Sequence, residues 1–475
     1  MHIVVVPWLA MGHIIPYHRL SICLARRGHR VSFLSTPRNL QRLPSAPKTL
    51  AHLITLVPLP LIHSHSSLPL HAESSCDITY PKHQILKLAF DSVEPTVVSF
   101  LTSSSPPPDW VVTDFSTHWL PGLARRHGIR SVYFSPFFAM LLVFFDSSKL
   151  DEGWLTIEDL TRPPSHQGVP RFMSNFAFRP YEIAKYVQRS QEFDSHCVPD
   201  VVRYAVTMRD SDLLAIRTCP EFEHECFGLL SQTYRKPVLP IGLLPSVLAD
   251  DDDDDDEDME DNEKQWDSMR KWLDKHPPSS VVYVALGTEA ELTAGEVESL
   301  ALGLEQTGLP FFWVLRDPPE STRTARDMLP NGFEERVDGQ GVICTEWAPQ
   351  VRILSHGSVG GFLTHCGCNS IIEGLAFGLV LIMLPMVNDQ GLNARLMREK
   401  RFGIEVERDE RDGWFTPGSV AEAVILAMVS EAGEALRASA KEAMGLFGSR
   451  EKNDRYVDEF VRYLEEHLYR EESAE

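Results

Sequence analysis

The sequence predicts an α/β chain built from two doubly wound parallel sheets, each a Rossmann-like domain. Three observations predict it. Short apolar, β-branched runs alternate with helical patterns through the first half. An acidic tract at residues 250–261 interrupts that order, and a second alternating series follows it. Strands that alternate with helices are joined by crossovers, which produce parallel sheets with helices on both faces. Domains of this kind bind ligands at the carboxyl ends of their strands, so two of them are expected to face each other across a cleft.

Ile3-Val4-Val5-Val6 reads as a buried strand from its β-branched run. Gly12 suggests an unusual turn after it, and Pro16 suits the first turn of a helix that ends near Gly28. Arg30 to Leu34 is the next strand. Leu53 to Val57, Trp110 to Thr113, Ser131 to Phe134 and Leu213 to Arg217 are further candidates. Residues 250–261 hold 11 acids and no base, which repel one another and read as a solvated linker. After them come strands at Ser280 to Leu286, Pro310 to Arg316, Gly341 to Thr345, Gly360 to Thr364 and Val380 to Leu384. Thr293-Ala294-Gly295-Glu296 is a capping box that opens a helix, and Asn453 to Tyr469 is an amphipathic terminal helix. The expected boundaries are 1–245, an acidic linker 246–265, 266–450, and a terminal helix in 451–475.

Composition narrows the function. A 43% hydrophobic fraction over 475 residues is ample for two large cores. The net charge of −22 argues against nucleic acid, whose phosphates call for Lys and Arg. Half of that charge is the acidic tract. The eight Cys are too few for a disulfide framework. No cationic leader precedes the first strand, and the longest apolar run, Phe134 to Phe145, is too short for a membrane span. A cytoplasmic monomer without membrane insertion is expected. There is no Gly-x-Ser-x-Gly elbow, no His-Glu-x-x-His and no Gly-x-Gly-x-x-Gly after a strand, so hydrolase, zinc-protease and dinucleotide chemistry lose their usual signals. His365, Cys366 and Cys368 have no second ligand pair at zinc spacing, so no metal is assigned.

The stretch Trp347 to Gln390 reads as a nucleotide-sugar site laid out in order. Trp347 can stack on a base. Thr364-His365-Cys366-Gly367-Cys368-Asn369-Ser370 is a strand, a glycine turn and a helix start, which can hold phosphate through free backbone N–H groups. Glu373 can grip a ribose diol, and Asp389 with Gln390 can grip sugar hydroxyls. The alternatives are ordinary: Trp347 as core, Asn369 and Ser370 as caps. With its Trp347-Ala348-Pro349-Gln350 opening and Asp389-Gln390 close, 44 residues in all, the stretch resembles the donor-binding box of plant family 1 UDP-glycosyltransferases. The resemblance covers essentially the whole chain and implies the GT-B fold, with the terminal helix returning to the first domain. It implies that His365, Asn369 and Ser370 hold a diphosphate, with Gly367 in the same UDP-sugar-binding turn and the Thr288 hydroxyl after Gly287 in reach. It implies uracil on Trp347 near Ala348 and Gln350, ribose on Glu373, and sugar on Asp389 and Gln390. UDP-sugar is then a co-substrate, and no cofactor is needed. One position departs: Cys368 stands where the family has Trp, which removes a flat ring beside the sugar and is expected to open space there. Gly378-Leu379-Val380 also lacks the family's usual Pro.

His13, after the first strand in Gly12-His13-Ile14-Ile15-Pro16, has a near-neutral side chain suited to removing a hydroxyl proton. Asp114, at the end of another strand, can fix its tautomer or simply cap a helix. The resemblance implies a catalytic base and its partner, with His18 and His118 as rivals. Ser135 to Met140, Phe144-Phe145 and Phe172 to Phe178 offer an aromatic wall for a flat acceptor. The expected activity is inverting transfer of a hexose, glucose first, from UDP to a hydroxyl of a flavonoid, a terpenoid or one of their glycosides. UDP-rhamnose and UDP-xylose are alternative donors, and a weakly active UDP-binding protein is a third reading.

Overall fold

The structure is a computed structural model that describes residues 1–61, 68–145, 157–164, 168–184, 197–246, 260–318 and 322–468. Two compact units divide the chain. One comprises Met1–Ala177, Val187–Leu244 and Arg450–Glu475; the other comprises Phe178–Tyr186 and Pro245–Ser449.

The first unit holds a seven-stranded sheet. Its strands are β1 (His2–Val6), β2 (Arg30–Ser35), β3 (Ile54–Pro58), β4 (Trp110–Thr113), β5 (Arg130–Ser135), β6 (Leu213–Ile216) and β7 (Val238–Pro240). They lie in the order β3-β2-β1-β4-β5-β6-β7, and every pair is parallel. The winding reverses between β1 and β4, where Val6 stands opposite Thr113. Both strands are wholly buried, which is why they read as unbroken apolar runs.

The helix after β1 spans Met11–Arg26. It therefore begins well ahead of Pro16, which lies in its second turn and costs it one backbone donor. Gly12 is in the first turn rather than in an unusual turn. The extended Ala10 starts the helix, its carbonyl accepting from His13 and Ile14 N–H at 2.9 Å. Tyr17 then pins the helix to the sheet, its hydroxyl donating to the carbonyls of Thr113 at 2.9 Å and Phe134 at 2.5 Å. That tertiary anchor overrides the boundary signal of Pro16.

The terminal helix, Arg450–Leu468, belongs to this unit. Val457, Phe460, Val461 and Leu464 share one core cluster with Ile3, Tyr17, Leu20 and Leu24. Asn453 adds a polar tie. Its Oδ1 accepts from the backbone N–H of Leu243 at 2.7 Å and Leu244 at 3.0 Å, and Arg217 donates to the carbonyls of the same two residues at 2.7 and 3.1 Å. Gly242 makes the approach possible. It sits at φ +76°, and a Cβ there would fall 2.6 Å from Asn453 Oδ1.

The second unit holds six parallel strands: β8 (Val281–Ala285), β9 (Phe311–Val314), β10 (Gly341–Cys344), β11 (Val359–Thr364), β12 (Val380–Met383) and β13 (Gly403–Glu405). The order is β10-β9-β8-β11-β12-β13, with the reversal between β8 and β11 and Ala285 opposite Thr364. The capping box forms as the sequence predicts: Glu296 N–H donates to Thr293 Oγ1 at 3.2 Å, and Thr293 N–H to Glu296 Oε2 at 2.9 Å. A helix begins at Glu260, inside the stretch read as linker, while residues 250–259 of the acidic tract lie outside the described residues. The segment from Phe178, read from sequence as part of the first domain, packs with this second unit. Among the described residues no helix is long and apolar enough to cross a membrane.

Asn453→Ala leaves two buried N–H groups without an acceptor, a loss of about 1–3 kcal/mol for such a group. We expect the melting temperature to fall by roughly 5 °C. A variant melting with the wild type would show that the apolar face alone seats the terminal helix.

Candidate functional site

In a doubly wound sheet the loops on either side of the reversal point diverge and leave a crevice. In the first unit these are the connections after β1 and β4; His13 lies in the first turn of the helix that follows β1, and Asp114 directly follows β4. His13 stands four residues before Tyr17, on the same face of its helix, so the buried tyrosine aims the histidine over the strand ends. Its Nδ1 lies 2.8 Å from Asp114 Oδ2. Asp114 is fully buried, and its carboxylate also accepts from Trp8 N–H at 3.0 Å and Phe115 N–H at 2.7 Å. A carboxylate so held takes a proton donor from the ring, so Nδ1 carries the hydrogen and Nε2 carries the lone pair. The capping alternative is also met, because Asp114 caps the short 3₁₀ turn Phe115–Thr117. One side chain does both.

Aromatic rings surround the imidazole. Phe115 and Phe137 lie 5.6 and 5.2 Å from it, centroid to centroid. Tyr204 stacks on Phe115 at 4.3 Å with planes 7° apart. Sequence reasoning found Phe137 and Phe145 but missed Phe115 and Tyr204. Tyr204 is brought in by its neighbour Arg203, buried in the helix Asp200–Asp210, which pairs with Asp91 and donates to the Ser116 carbonyl at 2.8 Å. His118 is a further partner of that guanidinium, at 3.2 Å, and burial with Arg203 beside it lowers its pKa. His18 is buried against Phe33, and burial pushes it down to about 4. Neither rival joins Asp114.

In the second unit the reversal point lies between β8 and β11, and their loops carry Gly287-Thr288 and His365. The His365 ring is wedged between two glycines. A Cβ at Gly287 would come 2.5 Å from its Nε2, and one at Gly367 would come 2.6 Å from the same atom. Gly287, at φ +78°, and Cys366, at φ +69°, both adopt the left-handed region. Burial pushes His365 down to about 4, so the ring is neutral at ordinary pH, and its Nδ1 is buried without a hydrogen-bond partner among the described residues. Gly367 then caps the helix Cys368–Ala376, whose first turn holds Cys368, Asn369 and Ser370 with no acid. Its first N–H groups and the positive end of its dipole suit an anion. Thr288 and Asn369 are half-buried at the same strand ends, and Ser370 is buried.

Trp347 and Ala348 follow β10, just before the helix Gln350–Leu354. The indole is 58% exposed, which excludes the core reading. Gln350 reaches back to Glu373, donating from Nε2 to Oε2 at 2.7 Å. The buried Glu373 is therefore oriented by Gln350 rather than left to find a geometry.

Asp389 and Gln390 are less free than the sequence suggests. Gln390 Oε1 accepts from Met386 and Val387 N–H, each at 2.9 Å, so its amide NH₂ is the group left for a ligand. Asp389 Oδ2 accepts from Asn393 Nδ2 at 2.6 Å. The same amide donates to the Cys366 carbonyl at 3.0 Å. Cys368 is only 9% exposed, and its thiol lies 3.8 Å from Asp389 Oδ2 and 3.5 Å from Asn393 Nδ2. Asn393, missed from sequence, thus links the glycine turn to Asp389. Among the described residues no group of three His, Cys, Asp or Glu side chains is arranged to hold a metal ion.

Comparison with known proteins gives this arrangement a family. The family described as UDP-glucoronosyl and UDP-glucosyl transferase matches residues 246–412. UDP-glycosyltransferase 91C1 of Arabidopsis thaliana is 50% identical over 468 residues, spanning 98% of this chain and 96% of its own. Soyasaponin III rhamnosyltransferase of Glycine max is 37% identical over 469 residues, again 98% and 96%. In fold, a UDP-glucosyltransferase from Polygonum tinctorium aligns at a TM-score of 0.76 with 24% identity, covering 98% of both chains. The two Rossmann-like sheets are those of the GT-B fold, and the chain belongs to the plant UDP-glycosyltransferases.

Proposed function

We propose that the enzyme moves a hexose, glucose first, from UDP to a hydroxyl of a plant small molecule such as a flavonoid, a terpenoid or one of their glycosides, with inversion at the anomeric carbon. The observation that carries the mechanism is the 2.8 Å contact of His13 Nδ1 with Asp114, which leaves Nε2 as the base. Nε2 takes the acceptor's proton as its oxygen attacks the anomeric carbon. The bond to the diphosphate breaks, UDP leaves, and Asp114 stabilises the imidazolium. Phe115, Phe137, Phe145 and Tyr204 supply flat apolar surface for the acceptor.

Trp347 stacks on uracil, Glu373 takes the ribose hydroxyls, and the diphosphate lies at the start of the helix Cys368–Ala376 beside His365, Asn369, Ser370 and Thr288. Those donors offset the leaving group's charge without a metal. Asp389 and Gln390 take the sugar. Rhamnose is the second reading. It is favoured by Cys368 in place of the family's Trp and by the relative named as a rhamnosyltransferase. A donor-by-acceptor screen read by mass spectrometry decides between them, and no transfer from any UDP-sugar would sink both.

His13→Ala should slow transfer by ~10²–10⁴ while UDP binds as before. Asp114→Asn should slow it too without loss of fold, and normal turnover in either variant would remove the pair from the mechanism. Trp347→Ala should weaken UDP by ~1–3 kcal/mol in titration calorimetry, the usual worth of a base stacked on an aromatic ring. Unchanged affinity there would place uracil elsewhere. Full activity in excess chelator is expected, and a loss restored by a divalent cation would contradict the metal-free reading.

A further inference from the structure

The segment beginning at Phe178 joins the second unit far from its neighbours in sequence. Tyr181 is buried, and its ring fills the position that a Cβ of Gly413 would occupy, at 2.4 Å. Arg179 pairs with Glu405 of β13 at 2.9 Å. Glu182 makes the contact that bears on the donor sugar. Its Oε2 accepts from Arg395 Nη2 at 2.7 Å and from Arg179 N–H at 2.8 Å. Its Oε1 presses on Gly391, where a Cβ would fall 2.3 Å away, and Arg395 Nη1 would lie 2.7 Å from the same Cβ. Both side chains of the pair are nearly buried, 13% and 11% exposed, so each needs the other.

Gly391 and Arg395 belong to the helix Gln390–Glu399, whose first residue is Gln390 and whose cap is Asp389. Inside that helix, Asn393 holds Asp389, and Gln390 holds the turn at Met386 and Val387. These bonds fix the sugar-reading pair relative to its own helix. Glu182 braces that helix from outside, at the residue next to Gln390 and one turn further on.

We propose that Glu182 is a positioning residue that sets donor-sugar selectivity by holding the helix Gln390–Glu399 in place. This rests on the reading of Asp389 and Gln390 as the sugar-binding pair. It separates two properties of the donor. UDP is gripped by groups on other loops, whereas the sugar depends on where this helix sits.

The test compares Glu182→Ala, Glu182→Gln and the double variant E182A/R395M with the wild type, using UDP, UDP-glucose and UDP-xylose, which lacks the hexose's C6 group. Glu182→Ala should raise KM for UDP-glucose about tenfold and lower the UDP-glucose to UDP-xylose ratio of kcat/KM by a similar factor, with UDP affinity within about twofold. Glu182→Gln keeps an oxygen acceptor and the volume, and should stay within about threefold of wild type. The double variant removes the stranded guanidinium, so it should melt with the wild type yet keep the altered donor kinetics. Wild-type donor kinetics in Glu182→Ala or in the double variant would overturn the assignment, as would a parallel loss of UDP affinity. A wild-type enzyme that selects donors without Asp389 and Gln390, shown by unaltered sugar ratios in D389A and Q390A, would instead overturn the sugar-site reading and this assignment with it.

Discussion

The register of β1 on β4, with Val6 opposite Thr113, is the constraint on which the first unit's chemistry depends. It puts the loop ends of two sequence-distant strands side by side, so that Asp114 can collect the N–H groups of Trp8 and Phe115 and the imidazole of His13. A slip of one residue would turn every side chain of a strand to the opposite face and separate the pair. Close packing of differently sized side chains on both faces opposes that slip. Tyr17 adds a second lock, because its hydroxyl reads the carbonyls of β4 and β5 together. The same design recurs in the second unit. There Ala285 opposite Thr364 sets Gly287 against the His365 ring, and two absent side chains make the space it occupies.

The two sites use opposite electrostatics. His13 has a buried carboxylate partner 2.8 Å from its ring. Among the described residues no acid is hydrogen-bonded to His365, and burial outweighs the nearby Glu289 and lowers its pKa to about 4, so it offers a neutral ring at the positive end of a helix. One arrangement suits a group that takes a proton from an acceptor. The other suits a group that sits beside a doubly charged leaving group without changing its own charge. The polar side chains of the second unit's site are held by partners rather than left loose: Gln350 holds Glu373, and Asn393 holds Asp389. Such second contacts reduce the freedom lost on binding, which is the usual route from a set of residue types to a selective site.

Much of this was legible in the sequence because it is local. The central strands announce themselves as β-branched runs, and the glycine turn feeding the helix Cys368–Ala376 shows in the sequence as a strand, a glycine and a helix start. The strands that escaped notice are β7, Val-Leu-Pro, and β13, Gly-Ile-Glu, three residues each with little apolar pattern. The start of the first helix was misplaced because Ala10 caps it without any side-chain signal, while Pro16 signals loudly from the wrong turn. Tyr204 and Asn393 were invisible for another reason. Their roles come from tertiary contacts, and neither carries a spacing that sequence can show. Glu182 is the extreme case, since its partner Arg395 lies 213 residues away.

The central claim is that Asp114 fixes the His13 imidazole with its hydrogen on Nδ1, so that Nε2 faces the acceptor as the base. Nitrogen-15 spectra of histidine-labelled enzyme at neutral pH test it most directly, with His13→Ala assigning the resonance. The account predicts a protonated, pyrrole-type Nδ1 and an unprotonated, pyridine-type Nε2 for His13. A resonance pattern with the hydrogen on Nε2 would leave no lone pair there for the acceptor's proton, and would contradict it.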